Sequence, residues 1–375
     1  MQRLIRTGQR PLSTQVQRPI YRARCFRLIR FHKRSGAESP TQELGIRNFH
    51  INRPQYLGVS SPRAAMATSP TDVGLTKSAT FLVLTVGDDA SAAQQVRSTL
   101  SSLDDLAKNV ASRDPSAHLG CTVGIGADAW DKITGARRPA ELRPFKAISG
   151  TKHQAPSTPG DLLFHIRADR RDLCFEFERQ LMDNLGSAVT LVDTTVGFRY
   201  FDLRDLLGFV DGTANPIGPA IPQTITVAEQ DDQAAAGGTY VVVQKYLHDM
   251  GKWRAASTTD QESIVGRTKL DNIELDDAPP GKQKSHKELA TIVDADGNEH
   301  DIFRDNMPFG SPASGEYGTY FIGYSRNLWV IEKMLERMFV GEPPGLHDRI
   351  LDFSRAVTGT VFFAPANSLL QSLES

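Results

Sequence analysis

The chain is predicted to be an α+β protein made of two successive βαββαβ units, and three observations carry that expectation. One order of hydrophobic patterns occurs twice, the two occurrences keep an offset of about 157 residues by element boundaries, and the long polar insertions fall between elements. In the first unit Ser78–Gly87 reads as a buried strand, and Ala90–Ser112 places Val96, Leu100, Leu103, Leu106 and Val110 at helical spacing. Cys121–Ala127 and Asp161–Ala168 read as strands. Arg171–Leu185 reads as an amphipathic helix through Leu173, Phe175, Phe177 and Leu181, and Thr190–Tyr200 as the last strand. The second unit repeats this with strands at Thr239–Tyr246, Ile302–Met307, Gly318–Tyr324 and Val357–Ala364 and helices at Ser257–Val265 and Leu328–Phe339. Two such units can pack sheet against sheet with their helices outside.

With 375 residues the chain can bury more than one core. Its net charge of −1 hides a split, because residues 1–65 hold 13 Lys+Arg against 2 Asp+Glu and leave 30 against 42 for the rest. An acidic body argues against a nucleic-acid surface, which needs clustered Lys and Arg. Cys25, Cys121 and Cys174 are odd in number and widely spaced, so neither a disulfide framework nor a metal knuckle is implied. The longest apolar run of the body, Phe81–Val86, is strand length and far short of the roughly 18 residues of a membrane span. A soluble, cytoplasmic protein is therefore expected.

Residues 1–35 carry nine Arg and one Lys, with no acid before Glu38. That composition suits a mitochondrial transit peptide, a basic arm, or translated upstream sequence with Met66 as the working start. Residues 1–72 are accordingly set apart. The body divides into a first unit at 73–205, a linker at 206–238 and a second unit at 239–370.

Two insertions stand out, since long irregular stretches in a compact body concentrate function. Asp202–Gly238 joins the units and contains Gly208-Phe209-Val210-Asp211-Gly212-Thr213-Ala214-Asn215-Pro216. It sets one carboxylate, Asp211, between two glycines and ends in an Asn-Pro turn, so Asp211 either points into a cavity or caps its own turn. Lys269–Asp301 carries His286 and leads into Phe303-Arg304-Asp305-Asn306-Met307-Pro308-Phe309-Gly310.

These stretches, with Val265-Gly266-Arg267-Thr268-Lys269, resemble the GxxDG signature and companion motifs of dye-decolorizing peroxidases of the bacterial B-type branch, over roughly Thr76 to Leu370. The resemblance implies two ferredoxin-like halves of the dimeric α+β barrel type, with one haem b per chain in the C-terminal half. It implies hydrogen peroxide as oxidant through a ferryl haem. Dyes, phenols and, within this branch, Mn2+ would be reductants in one-electron steps, with Trp130, Trp253, Trp329 or tyrosines relaying electrons from bulky dyes.

Residue chemistry alone leaves His286, His248 and His300 open as the axial ligand of the iron; the family's Ser-His pair selects Ser285-His286. Asp348 matches the family's carboxylate partner of that histidine, while on its own it reads equally as half of an ion pair with Arg349. Asp211 becomes the catalytic proton shuttle, Arg304 the cation that meets charge on the departing oxygen, and Asn306 a further donor beside it, with Arg304 ranked first. Arg267 either reaches a haem propionate or caps a helix; Met307 and Phe309 either line the pocket or belong to the core. The resemblance also admits a haem-handling, deferrochelatase-like alternative with incidental peroxidase activity, and implies a homo-oligomer with neither nucleic-acid nor membrane partners. The chain ends at Leu370-Gln371-Ser372-Leu373-Glu374-Ser375, without the extended tail that directs some relatives into encapsulin shells, so no such cargo role is expected.

Overall fold

The computed structural model describes residues 74–374; the basic segment 1–72, with its transit-peptide reading and the choice between Met1 and Met66, lies outside the described residues. The first half runs β1 (Ser78–Val86), α1 (Ala90–Ser101), α2 (Leu103–Ala111), β2 (Gly120–Gly126), α3 (Ala127–Thr134), a short hairpin β3 (Ile148–Ser149) and β4 (Gln154–Ala155), β5 (Leu162–Ala168), α4 (Arg171–Leu185) and β6 (Val189–Phe198). A connection with α5 (Ala220–Ile225) leads to β7 (Thr239–His248), α6 (Met250–Ala255), α7 (Thr258–Val265), α8 (His286–Ala290) and the hairpin β8 (Ile292–Val293) and β9 (Glu299–His300). Then follow β10 (Phe303–Arg304), β11 (Met307–Ser311), β12 (Glu316–Ser325), α9 (Leu328–Val340), β13 (Ser354–Ala356), β14 (Thr360–Ala364) and α10 (Asn367–Gln371).

Two expected elements are divided, each for a local reason. The single helix expected over Ala90–Ser112 breaks at Ser102, whose hydroxyl donates back to the carbonyls of Ser98 and Thr99 and competes with the helical ladder. The strand expected over Ile302–Met307 becomes β10 and β11, both paired with β12. Between them the side chain of Asn306 takes over a main-chain duty, its Oδ1 accepting the Ile322 N–H at 3.1 Å. Arg304 and Asn306 therefore do not share one regular strand. The strand expected over Val357–Ala364 is β14, shortened to Thr360–Ala364, and the separate β13 lies just before it; both pair with β7.

The main sheet has ten strands in the order β10-β12-β7-β14-β2-β5-β1-β6, with β11 on β12 and β13 on β7. This corrects the expectation of a barrel. The ends of the order, β10 and β6, do not pair, and no sheet among the described residues closes. Closure needs a continuous ladder of matched length and stagger. Here β10 offers only two residues, β6 leaves Leu191, Val196 and Phe198 exposed, and the halves join edge to edge through just Phe362↔Gly126 and Phe363↔Ile125.

The tandem α+β arrangement itself is present, and α4 and α9 begin 157 residues apart at equivalent places. Helix α4 buries Leu173, Cys174, Phe177, Leu181 and Leu185 on one side, as its period requires. The inner faces of the two halves share a core in which the Phe81 ring stacks between His165 and Tyr320, at centroid distances of 4.7 and 4.0 Å. Among the described residues no helix is long and apolar enough to cross a membrane.

Candidate active site

His286 owes its position to helix capping. Ser285 is the N-cap of α8; its hydroxyl accepts from the Glu288 N–H, and the Glu288 carboxylate accepts from the Ser285 N–H at 2.9 Å. This capping box fixes His286 as the first helical residue. Its Nδ1 lies 2.6 Å from Oδ2 of Asp348, a wholly buried carboxylate whose other oxygen accepts the Ile350 N–H at 3.0 Å. Burial alone would lower the imidazole pKa; the charge and hydrogen bond of Asp348 overturn that and hold it above the ordinary value. With Nδ1 engaged, Nε2 is the nitrogen left for the cavity that His286 lines.

The two rival histidines are differently placed. His248 uses both ring nitrogens, Nδ1 toward the Ser354 hydroxyl at 2.8 Å and Nε2 toward the Thr319 hydroxyl at 2.9 Å. Burial pulls its pKa down to about 4, so it stays neutral and engaged. Nε2 of His300 lies 2.9 Å from Asp294.

The Asp211 turn faces the same cavity. Gly208 and Gly212 adopt φ of 95° and 73°, left-handed conformations that favour glycine. The turn's own capping falls to Asp205, whose carboxylate accepts the Phe209 N–H at 3.0 Å. Asp211 is thereby released from an Asx-type role. Its two oxygens instead accept from Asn306 Nδ2, at 3.3 and 3.1 Å. Arg204 braces the loop from outside, donating to the carbonyls of Gly208 and Lys269, and the Trp253 indole donates to the Leu207 carbonyl at 2.9 Å.

Arg304 enters the cavity from β10 with its Nε buried and without a hydrogen-bond partner. Burial draws its pKa below the usual guanidinium range, opposed by the charges of Asp211 and Asp301. Its backbone is held by Asn215, which donates to the Arg304 carbonyl at 2.6 Å and accepts the Arg304 N–H at 3.0 Å. Asn215 is thus a positioning residue that ties the Asp211 turn to Arg304. Asn215→Ala is expected to lower kcat/KM for peroxide about tenfold, the loss of roughly 1.4 kcal/mol of orienting hydrogen bonds. An unchanged Soret band alongside that fall would separate it from a folding defect.

The cavity has two adjoining lobes of about 890 and 740 Å³ that share Val210, Asp211, Val265, His286, Arg304 and Met334. A narrower crevice of about 430 Å³, lined by Arg199, Tyr200, Asp211, Arg304 and Asn306, adjoins the Asp211 side. Both the C-terminal and N-terminal family models of Dyp-type peroxidases match this chain, over residues 202–369 and 73–199. The chain belongs to the Dyp-type peroxidase family. A dye-decolorizing peroxidase of Mycobacterium tuberculosis is 52% identical over 307 residues, 82% of this chain and 90% of that relative. The crystal structure of DyPB from Rhodococcus jostii RHA1 is similar with a TM-score of 0.79 and 51% identity, covering 84% of this chain and all of that one. A variant of the same Rhodococcus protein solved in complex with heme has a TM-score of 0.78, 52% identity and coverage of 82% and 98%.

The residues of this peroxidase fit a haem. They offer one imidazole nitrogen not committed to the carboxylate, an unpartnered buried guanidinium nitrogen, and apolar walls from Phe321, Met334, Leu335, Met338 and Ile350. Three of the expected contacts have protein partners of their own. The Arg267 guanidinium meets Glu274 at 2.8 Å and the Asn272 carbonyl at 3.2 Å, while the residue also lines the smaller lobe. Met307 and Phe309 are buried in the core between the halves, and Met307 also lines the crevice beside Asp211.

Asp205 and Asn215 escaped the reading of the sequence. Asp205 precedes the motif and Asn215 looked like turn chemistry alone. Asp205 lines the larger lobe, and burial, reinforced by the charge of Asp211, pushes its pKa up to about 7. An acid whose folded pKa exceeds its unfolded value near 3.9 binds more protons when folded, so stability falls as pH rises between about 4 and 7. Asp205→Asn is expected to remove that decline, seen as a flatter dependence of Tm on pH across the same window and a higher Tm than wild type above pH 7.

Proposed function

We propose that the chain holds one haem b on His286 and reduces hydrogen peroxide there, oxidising aromatic dyes and phenols one electron at a time. The observation that carries this is the pairing, around one cavity, of an imidazole set by a buried carboxylate with an unpartnered buried arginine. The haem supplies the electrons that reduce peroxide and holds the oxidising equivalents that the aromatic donors later fill.

The side chains supply the rest. Asp348 accepts from His286 Nδ1, which fixes the ring orientation and strengthens Nε2 as a donor. The Asp211 carboxylate takes a proton from one peroxide oxygen and returns it to the other, which departs as water. Asn306 holds that carboxylate through both of its oxygens. Arg304 meets the negative charge that gathers on the departing oxygen, with donors not already spent on protein. For donors too large for the cavity, Trp329 is the best placed of the three tryptophans. It is 38% exposed, and its ring packs edge-on against His300, which lines the smaller lobe, at 4.8 Å. Trp130 and Trp253 are buried. Trp329→Phe is expected to slow oxidation of a bulky anthraquinone dye several-fold while leaving a small phenol unaffected; equal slowing of both would remove Trp329 from the route.

The test of the whole reading is multiple-turnover bleaching of dye by haem-loaded protein and peroxide, followed beside the porphyrin spectrum. Many turnovers with porphyrin and iron intact support it. Release of iron from intact porphyrin without sustained bleaching would put the deferrochelatase-like alternative in its place.

A further inference from the structure

On the far side of Asp348 a second group of ligand-type side chains converges. His153, from the turn between β3 and β4, and His347, beside Asp348, both direct Nε2 at one oxygen of Asp352. The distances to Asp352 Oδ1 are 2.9 Å from His153 and 3.2 Å from His347. The two rings meet edge-on at 4.8 Å between centroids, and the three donor atoms all lie within 4.8 Å of one another. No other group of three such ligands lies this close among the described residues. The side chains are only 14–21% exposed.

We propose that His153, His347 and Asp352 form a site for a borderline divalent ion of the Zn2+ class, distinct from the haem cavity. Two imidazoles and one carboxylate are a donor set for such metals. Bonds of roughly 2.0–2.1 Å in a tetrahedron put neighbouring ligand atoms about 3.3 Å apart, close to the two spacings to Asp352, with the imidazole nitrogens within 4.8 Å of each other. Three protein ligands leave a fourth position for water. A positive charge already visits the place, since the Lys152 ammonium contacts the same Asp352 oxygen. Lys152 is 57% exposed on a flexible stem at the rim, so an entering divalent ion displaces it into solvent. The ligands come from both halves, so the ion ties the β3–β4 turn to the segment that carries Asp348. Its role is a clamp across the halves behind His286.

Chelator-treated, haem-loaded protein titrated with ZnCl2 by calorimetry tests this. The expected result is one Zn2+ per chain, weakened on the order of 100-fold or more in His153→Ala or His347→Ala and tightened several-fold in Lys152→Ala. Zn2+ should also raise the Tm of the wild type and not that of His153→Ala. Wild-type protein that takes up no Zn2+, or uptake equal in wild type and both histidine variants, would overturn the proposal. If the histidine variants do not fold, Lys152→Ala decides, because unchanged affinity there places any bound Zn2+ elsewhere.

Discussion

Arg304→Leu is expected to lower the second-order rate of reaction with hydrogen peroxide on the order of 10²–10³-fold while the Soret band of bound haem remains, the size of effect seen when one charge-stabilising donor is removed from an enclosed site. Leucine keeps much of the volume and removes the charge. The arginine is not engaged in holding the fold by its Nε, which is buried and unpartnered, and its backbone stays pinned by Asn215 whatever the side chain. The loss therefore falls on chemistry. Asp211→Asn should cost less. Asn306 then faces an amide in place of a carboxylate, while the Arg304 charge proposed to meet the departing oxygen is retained. Stopped-flow spectra after one equivalent of peroxide distinguish the two, and an Asp211→Asn loss as large as that of Arg304→Leu would reverse the ranking. Haem lost from Arg304→Leu would show instead that the arginine holds the cofactor.

What could be read in the sequence follows from which features are local. Helices α4 and α9 announce themselves through apolar residues at helical spacing, and their common offset exposes the duplication. The capping box at Ser285-x-x-Glu288 was also written in the sequence, and it accounts for His286 standing as the first residue of α8. Barrel closure was not legible, because it depends on how many residues of β10 and β6 find partners across the molecule. Nor was the division of labour in the Asp211 turn. That Asn306 holds Asp211 and that Asn215 holds Arg304 are facts of residues 95 and 89 positions apart in the chain, and only with them known does the local bond from Phe209 to Asp205 show that Asp211 is released. Spacing within a motif identifies candidate donors; only packing shows which are already spent.

His286→Ala is expected to abolish haem retention, with the Soret band absent after purification and restored in part by millimolar imidazole. The argument rests on what the deletion leaves behind. Asp348 is wholly buried, and without the imidazole one of its two oxygens loses a charge-assisted partner at 2.6 Å. Leaving this buried carboxylate without its partner is destabilising, so the apoprotein should also melt lower than wild-type apoprotein. Free imidazole can enter the space, donate one nitrogen to Asp348 and present the other to iron, which restores both terms together. Asp348→Asn separates them. The amide has one neutral acceptor oxygen where the carboxylate has two charged ones for Ile350 N–H and His286 Nδ1, so the pull on the imidazole is weakened and haem should be retained with a raised reduction potential. Were His286→Ala to keep its haem, the ligand would have to be His248 in the larger lobe or His300 in the smaller. His248 would first have to give up its bonds to both Ser354 and Thr319, and His300 its contact with Asp294, and adding His248→Ala or His300→Ala to His286→Ala would tell the two apart.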